Sequence, residues 1–263
     1  MIKHILFVIV ILSQFLGCAT VQTGLERQES IFISTQQEIA IGEQVVQQIE
    51  KENKLLDNPS LTQYVQAVGQ KLAGVCFRND IAYHFKIIDS DVINAFALPG
   101  GYIYIYRGAL ESMDNEAQLA AVLAHEIGHI AARHSVKQIQ KYQTYDILAS
   151  ILLKDQKKAI QDLSNIAANL VFLGYSREAE FEADDLGIHF LYQADYDPKG
   201  MVEFFNKLKQ KEKEKSSKIE IMLRTHPLTS DRIRRVEEKI ASLPQKPNLI
   251  RNEARFRKEI GNL

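Results

Sequence analysis

"LAAVLAHEIGHIAARHS", residues 119–135, decides how this chain is read. It sets His125, Glu126, His129 and His134 into a run of Leu, Ala, Val and Ile that otherwise has the character of a buried helix. Unpaired ionisable groups on a core-facing helix are costly, and a shared metal ion removes that cost. Residues four apart on an α-helix are rotated by about 40° and stand one turn apart, so His125 and His129 project from one face and can grip one ion. Glu126, rotated by about 100° from His125, flanks that ion without binding it and is suited to holding a proton. This is the H-E-x-x-H arrangement, in which the histidines ligate Zn2+, one per chain, and the glutamate is the general base. His134 falls about 180° around a continuous helix from His125. It is expected to face elsewhere, beside Arg133, in a structural role.

A catalytic zinc needs a third protein ligand. "SREAEFEADDLG", residues 176–187, supplies carboxylates on a helix whose Ala and Phe positions imply packing. Glu180 and Asp184 are four apart and share a face, whereas Glu178 and Glu182 turn to the opposite side. Metal sites use one carboxylate on the ion and a second to hold a ligating imidazole by its other ring nitrogen. Glu180 is therefore assigned as ligand and Asp184 as the residue that orients a histidine.

Upstream, Ile39, Val45, Val46 and Ile49 predict an amphipathic helix ending near Asn53. A second follows Asn58-Pro59, where proline suits the first turn, with Leu61, Tyr64, Val65, Val68 and Leu72 at helical spacing. "YHFKIID" and "VINAFALPGGYIYIYRG" are β-branched and aromatic, with Pro99-Gly100-Gly101 as a turn, and predict a small sheet directly before the histidine helix. Beyond Asp114-Asn115 the pattern is helical, over roughly 116–134, 136–152, 158–173, 177–193, 198–213 and 230–242. The charge run "KLKQKEKEKSSK", 207–218, reads as a solvated helix end and loop, and the tail past Pro244 as peripheral, with Ile250 and Phe256 able to pack on the body. The fold class is α+β: a mostly helical body with a small β-sheet above the active-site helix.

With 32 Lys+Arg against 33 Asp+Glu, a net charge of −1 gives no field to attract nucleic acid, which is set aside as a partner. "MIKHILFVIVILSQFLGCAT" has Lys3, an apolar run from Ile5 to Leu12 and then small residues, the layout of a secretory signal too short to span a bilayer comfortably. "FLGC" resembles the lipobox of bacterial lipoproteins, in which cleavage leaves a lipidated cysteine first; Phe15 stands where leucine is usual. The expectation is a leader over 1–17, a membrane anchor through lipid on Cys18, a tether over 18–34, a zinc-site domain over 35–243 and a tail over 244–263. An ordinary signal with Cys18 incidental is the alternative. Ala19 favours an outer-membrane anchor facing the periplasm. Cys76, the only other cysteine, reads as a buried inert thiol.

The segments "NAFALPGG", "HEIGHIAARH", "SREAEFEAD" and "THPLTSDR", in that order, resemble the membrane-associated gluzincin peptidases of the CAAX prenyl protease and HtpX type, and most of all their periplasmic and lipoprotein members. The likeness covers most of residues 35–242. It implies a gluzincin-type zinc metallopeptidase domain acting on protein or peptide substrates, with Glu180 as third zinc ligand. It also implicates His226, either steadying the oxyanion of the tetrahedral intermediate or filling the fourth zinc position at rest, and matches Arg232 without giving it a role. The strand Asn94-Ala95-Phe96-Ala97 becomes a substrate edge, against which an extended peptide can satisfy its backbone groups. The chain departs from the membrane-embedded members in lacking their several apolar spans, and from others in lacking a helical-repeat extension. Neither prenylated substrates nor recruitment by such an array is expected. Two functions stay open: an endopeptidase for unfolded or misassembled envelope proteins, or a latched zinc-containing chaperone or assembly factor with a closed coordination shell. The sequence offers no reading of oligomeric state.

Overall fold

The computed structural model describes residues 33–142, 156–170, 173–261 and 263. The expected leader, Cys18 and the tether as far as residue 32 lie outside the described residues, as do parts of the helices expected over 136–152 and 158–173.

Helix α1, Thr35–Glu52, begins in a capping box: Ser34 Oγ accepts from Gln37 N at 3.2 Å while Gln37 Oε1 accepts from Ser34 N at 2.9 Å. Asn53 ends it, as expected. Helix α2, Pro59–Ala73, has Asn58 Oδ1 accepting from Leu61 N at 3.1 Å and proline at its start. A three-stranded sheet follows, with β1 His84–Ile88, β2 Ala95–Leu98 and β3 Tyr102–Tyr106 in the order β1-β3-β2. β1 runs parallel to β3 and β2 antiparallel to it. The β2–β3 turn at Pro99–Gly101 needs its glycines, since Gly100 and Gly101 have φ of 78° and 96°.

The short α3, Arg107–Glu111, leads into α4, Glu116–Ala131, whose every residue is buried. A helix buried on every face belongs at the centre of a body. It is covered by α2, by β2 and by two later helices, α7 (Arg177–Gln193) and α8 (Lys199–Lys213). Between α4 and α7 in the chain lie α5, His134–Lys141, and α6, Gln156–Leu170. The chain closes with α9 (Glu220–Thr225), α10 (Ser230–Ser242) and α11 (Glu253–Ile260). No described helix is long and apolar enough to cross a membrane.

The last segment is less peripheral than its composition implies. Phe256 is fully buried, its ring 6.5 Å from that of Tyr64. Buried Glu116 ties the same region together, accepting from Tyr64 Oη at 2.8 Å, Tyr196 Oη at 3.1 Å and Asn252 Nδ2 at 2.9 Å. Cys76 is a buried free thiol, with Sγ 3.3 Å from Tyr83 Oη.

A second buried ionic knot holds the C-terminal end of α4. Glu38 of α1 takes both terminal nitrogens of Arg78, at 2.9 and 2.7 Å, and Nε of Arg133 at 3.0 Å. Arg78 Nη1 also donates to the Ile130 carbonyl at 2.9 Å, placing a cation at the negative end of the helix. Arg133 Nη2 reaches the Ile33 carbonyl at 2.6 Å. Pinned in this way, Arg133 takes φ 56° and ψ 37°, a left-handed conformation that ends α4 at Ala131 rather than at the expected residue 134.

Candidate active site

Four buried residues from three segments converge: His125 and His129 from α4, Glu180 from the first turns of α7, and His226 from the loop after α9. His125 Nε2 lies 3.0 Å from His129 Nε2 and 3.3 Å from His226 Nδ1. Glu180 Oε1 lies 3.1 Å from His226 Nδ1 and 3.3 Å from His129 Nε2. Bonds of about 2.0–2.1 Å to a central zinc would put tetrahedral ligand atoms about 3.3 Å apart. The four lone-pair atoms therefore sit at the spacing of a four-coordinate cation, so these residues fit a metal ion.

The approach of α7 to α4 depends on one missing methyl. A Cβ on Gly128 would stand 2.7 Å from the Ala183 carbonyl oxygen, so only glycine lets the two backbones close to this distance. Asn115 caps α4 by accepting from Gln118 N at 3.0 Å, and Ser176 caps α7 by accepting from Ala179 N at 3.2 Å.

Asp184, one turn beyond Glu180, meets the outer nitrogen of His125, with Oδ1 2.9 Å from Nδ1. Arg232 of α10, itself 2% exposed, grips Asp184 with Nε and Nη2, each at 2.8 Å, and reaches Glu180 Oε2 with Nη1 at 2.6 Å. One guanidinium thus braces both carboxylates. Burial works upward on both acids but is outweighed. His226, His129 and Arg232 hold Glu180 well below the usual carboxylate range, and Arg232 with His125 lowers Asp184. At His226 burial works downward, and the Glu180 and Glu126 carboxylates outweigh it and raise the imidazole.

Glu126 stands beside this cluster. Both its carboxylate oxygens are buried without a hydrogen-bond partner, and His226 Nε2 lies 3.7 Å from Oε1. Burial pushes its carboxyl upward, and pushes the His129 imidazole well down. A buried carboxylate with no protein donor can accept a proton from a small molecule placed against it.

His134 corrects the sequence reading. Because α4 breaks at Arg133, His134 does not continue around the helix. It is 4% exposed and turns back, its Nδ1 2.8 Å from His129 Nδ1. Its Nε2 lies 3.1 Å from Glu182 Oε2, so Glu182 faces away from the cluster, as expected, but is tied to it. Tyr175 was not anticipated. Its ring stacks on His129 with centroids 4.2 Å apart and planes at 21°, and burial raises its hydroxyl. It directly precedes the Ser176 cap, and no spacing in the sequence singles it out.

The expected substrate strand occupies the edge of the sheet, next to β3 on one side only. Asn94, Ala95, Phe96 and Ala97 are nevertheless buried, and Ile93 N donates to Lys218 O at 2.8 Å, from the segment leading to His226. Against Glu126 and His226 lies an apolar cavity lined by Val122, Met201, Phe204, Phe205, Leu208 and Leu228.

Residues 59–240 match the family described as peptidase family M48. The β-barrel assembly-enhancing protease of Escherichia coli K12 is 33% identical over 211 residues, 76% of this chain and 43% of that protein. The mitochondrial metalloendopeptidase OMA1 of Schizosaccharomyces pombe is 32% identical over 178 residues, 67% of this chain and 52% of its own length. The chain thus spans about half the length of these two relatives. The E. coli metalloprotease YcaL is 25% identical over 236 residues, 84% of this chain and 87% of that protein. With the match running through all three segments that bring the four metal-competent side chains together, this chain belongs to peptidase family M48, a family of metalloproteases.

Proposed function

We propose that this protein is a zinc metalloendopeptidase that hydrolyses unfolded or misassembled proteins of a bacterial cell envelope. Its parts would be a leader over 1–17, lipid on Cys18, a tether over 18–34, a peptidase domain over 35–243 and a tail over 244–263, anchored in the outer membrane and facing the periplasm. The convergence of three imidazoles and a carboxylate, with the unpartnered Glu126 beside them, carries the reading. The names of the β-barrel assembly-enhancing protease and of the metalloendopeptidase OMA1 support the endopeptidase, and the leader-like start with its FLGC stretch supports the envelope.

In this reading His125, His129 and Glu180 hold the ion, Asp184 orients His125, and Arg232 fixes both carboxylates. An all-nitrogen-and-oxygen set at tetrahedral spacing suits zinc. When bound, the ion supplies Lewis acidity to a scissile carbonyl and to water. Glu126 takes a proton from the attacking water at its free carboxylate and returns it to the leaving amine. His226 donates to the developing oxyanion. A peptide added to the edge strand at Asn94–Ala97 is held extended across the site, and the cavity lined by Val122, Phe204 and Phe205 accepts an apolar side chain. Digestion of an unfolded model protein by the purified chain tests this: cleavage stops with a chelator and returns with added zinc. Protein that holds zinc and leaves the substrate intact would defeat an enzyme open at rest and leave a latched enzyme or a binding protein.

A second reading is favoured by one observation: His226 Nδ1 occupies the fourth corner of the cluster, 3.3 Å from His125 Nε2 and 3.1 Å from Glu180 Oε1. A shell closed by protein on all sides belongs to a latched enzyme or to a zinc-containing chaperone or assembly factor. If His226 is a reversible latch, His226→Ala raises basal proteolysis several-fold. Unchanged or lower activity counts against the latch and leaves His226 its role at the oxyanion.

A further inference from the structure

We propose that His134 and Glu182 are positioning residues for the metal site, fixing the tautomer and orientation of His129 through a relay of two imidazoles and a carboxylate. The inference rests on the reading of His129 as a ligand through Nε2.

The proton assignment follows from the contacts. A neutral imidazole has one N–H donor and one acceptor nitrogen. His129 Nε2 faces His125 Nε2 at 3.0 Å and Glu180 Oε1 at 3.3 Å, so it can join a ligand set only as the bare nitrogen. The proton of His129 then sits on Nδ1, which lies 2.8 Å from His134 Nδ1. His134 must accept there, which places its own proton on Nε2, 3.1 Å from Glu182 Oε2, a group that only accepts. One assignment satisfies all three contacts. The reverse one sets a proton among the converging lone pairs and a bare His134 nitrogen against a carboxylate.

The two histidines of α4 are therefore held by different devices. His125 meets a buried carboxylate clamped by an arginine, whereas His129 meets a neutral ring that passes its proton contact to Glu182, whose side chain is 52% exposed. The relay exists because of the break at Arg133. On an unbroken helix, residues five apart are rotated by about 140° and cannot touch side by side. The left-handed Arg133, held by Glu38 and the Ile33 carbonyl, folds His134 back under His129.

The test is competition titration of the full chain with zinc alone against a chromogenic chelator, alongside melting curves of the metal-free variants. His134→Phe, which keeps a ring and removes the acceptor, is expected to weaken zinc binding about 10- to 100-fold. His134→Asn, whose amide oxygen can stand where Nδ1 does, is expected to stay within about threefold of the parent, by the same logic of a retained outer partner. Equal zinc affinity in His134→Phe and the parent, or equal losses in the Phe and Asn variants, would overturn the proposal. His129→Ala separates it from the reading beneath it. If His129→Ala keeps full affinity, His129 is not a ligand and both fall; if it loses zinc while His134→Phe does not, the relay alone falls. Should His134→Phe fail to fold, long-range 1H–15N spectra of the histidine-labelled parent decide, with His134 expected in the Nε2–H form and the Nδ1–H form overturning the relay.

Discussion

Glu126→Gln is expected to lower kcat/KM on an unfolded protein substrate by about 10²- to 10⁴-fold, the usual contribution of a general base, while leaving zinc content unchanged. The two halves of this expectation have separate structural origins. Glutamine keeps the shape of the side chain, and neither carboxylate oxygen of Glu126 has a protein donor to lose. It is also not among the four residues whose ligand atoms converge. What glutamine lacks is a site for a proton, which is what the chemistry asks of this position. The comparison is made with parent and variant at equal zinc content, followed by the appearance of new amino termini. A variant that cleaves at the parent rate would take the base role from Glu126. A variant that has lost its zinc would show that the residue supports the ligand set instead.

Glu38→Ala is expected to be strongly destabilising although it lies away from the cluster. Glu38 is 1% exposed and Arg78 7% exposed, so the substitution leaves the buried guanidinium with only Asp80 Oδ1 at 3.3 Å and the Ile130 carbonyl, and releases Arg133 from its main anchor. Breaking a buried ion pair from one side costs about 3–5 kcal/mol. For a body of this size each kcal/mol moves the melting temperature by about 2–4 °C, so a fall on the order of 10 °C is expected. Thermal unfolding of the metal-free protein measures it. Adding Arg78→Met to Glu38→Ala should recover part of the loss, since an apolar side chain of similar length no longer needs a partner. A melting temperature within a degree or two of the parent would mean that water replaces Glu38 at both arginines.

What could be read from the sequence was set by how regular the local backbone is. His125, Glu126 and His129 fall as spacing predicts because α4 is unbroken across them, and Glu180 and Asp184 because α7 is too. Asn53 and Asn58 mark helix ends through side-chain chemistry that is local to the chain. His134 was misplaced for the opposite reason. Ala132-Arg133 contains neither glycine nor proline, and the left-handed residue at the break is held by Glu38, 95 residues away. Tertiary contacts of that kind leave no trace in periodicity. His226 lies in a loop after a six-residue helix, where no repeat constrains direction, so only the family likeness pointed to it. Arg232 matched the same likeness without a role. Its place between Glu180 and Asp184 becomes visible only when α10 is laid beside α7.

The contact at Gly128 separates what this protein can change from what it cannot. The spacing between its histidines and its glutamate is set where two backbones touch, and backbone cannot repack around a new side chain. The neighbouring cavity is walled by Met201, Phe204, Phe205 and Leu208, and such side chains, methionine above all, readjust to substitution. In the proposed endopeptidase, descendants of this sequence can therefore drift in the residues they admit beside the bond while the reaction geometry stays fixed. Appetite and chemistry are inherited on separate parts of the same helix packing, and selection for new targets can act on the first without reopening the second.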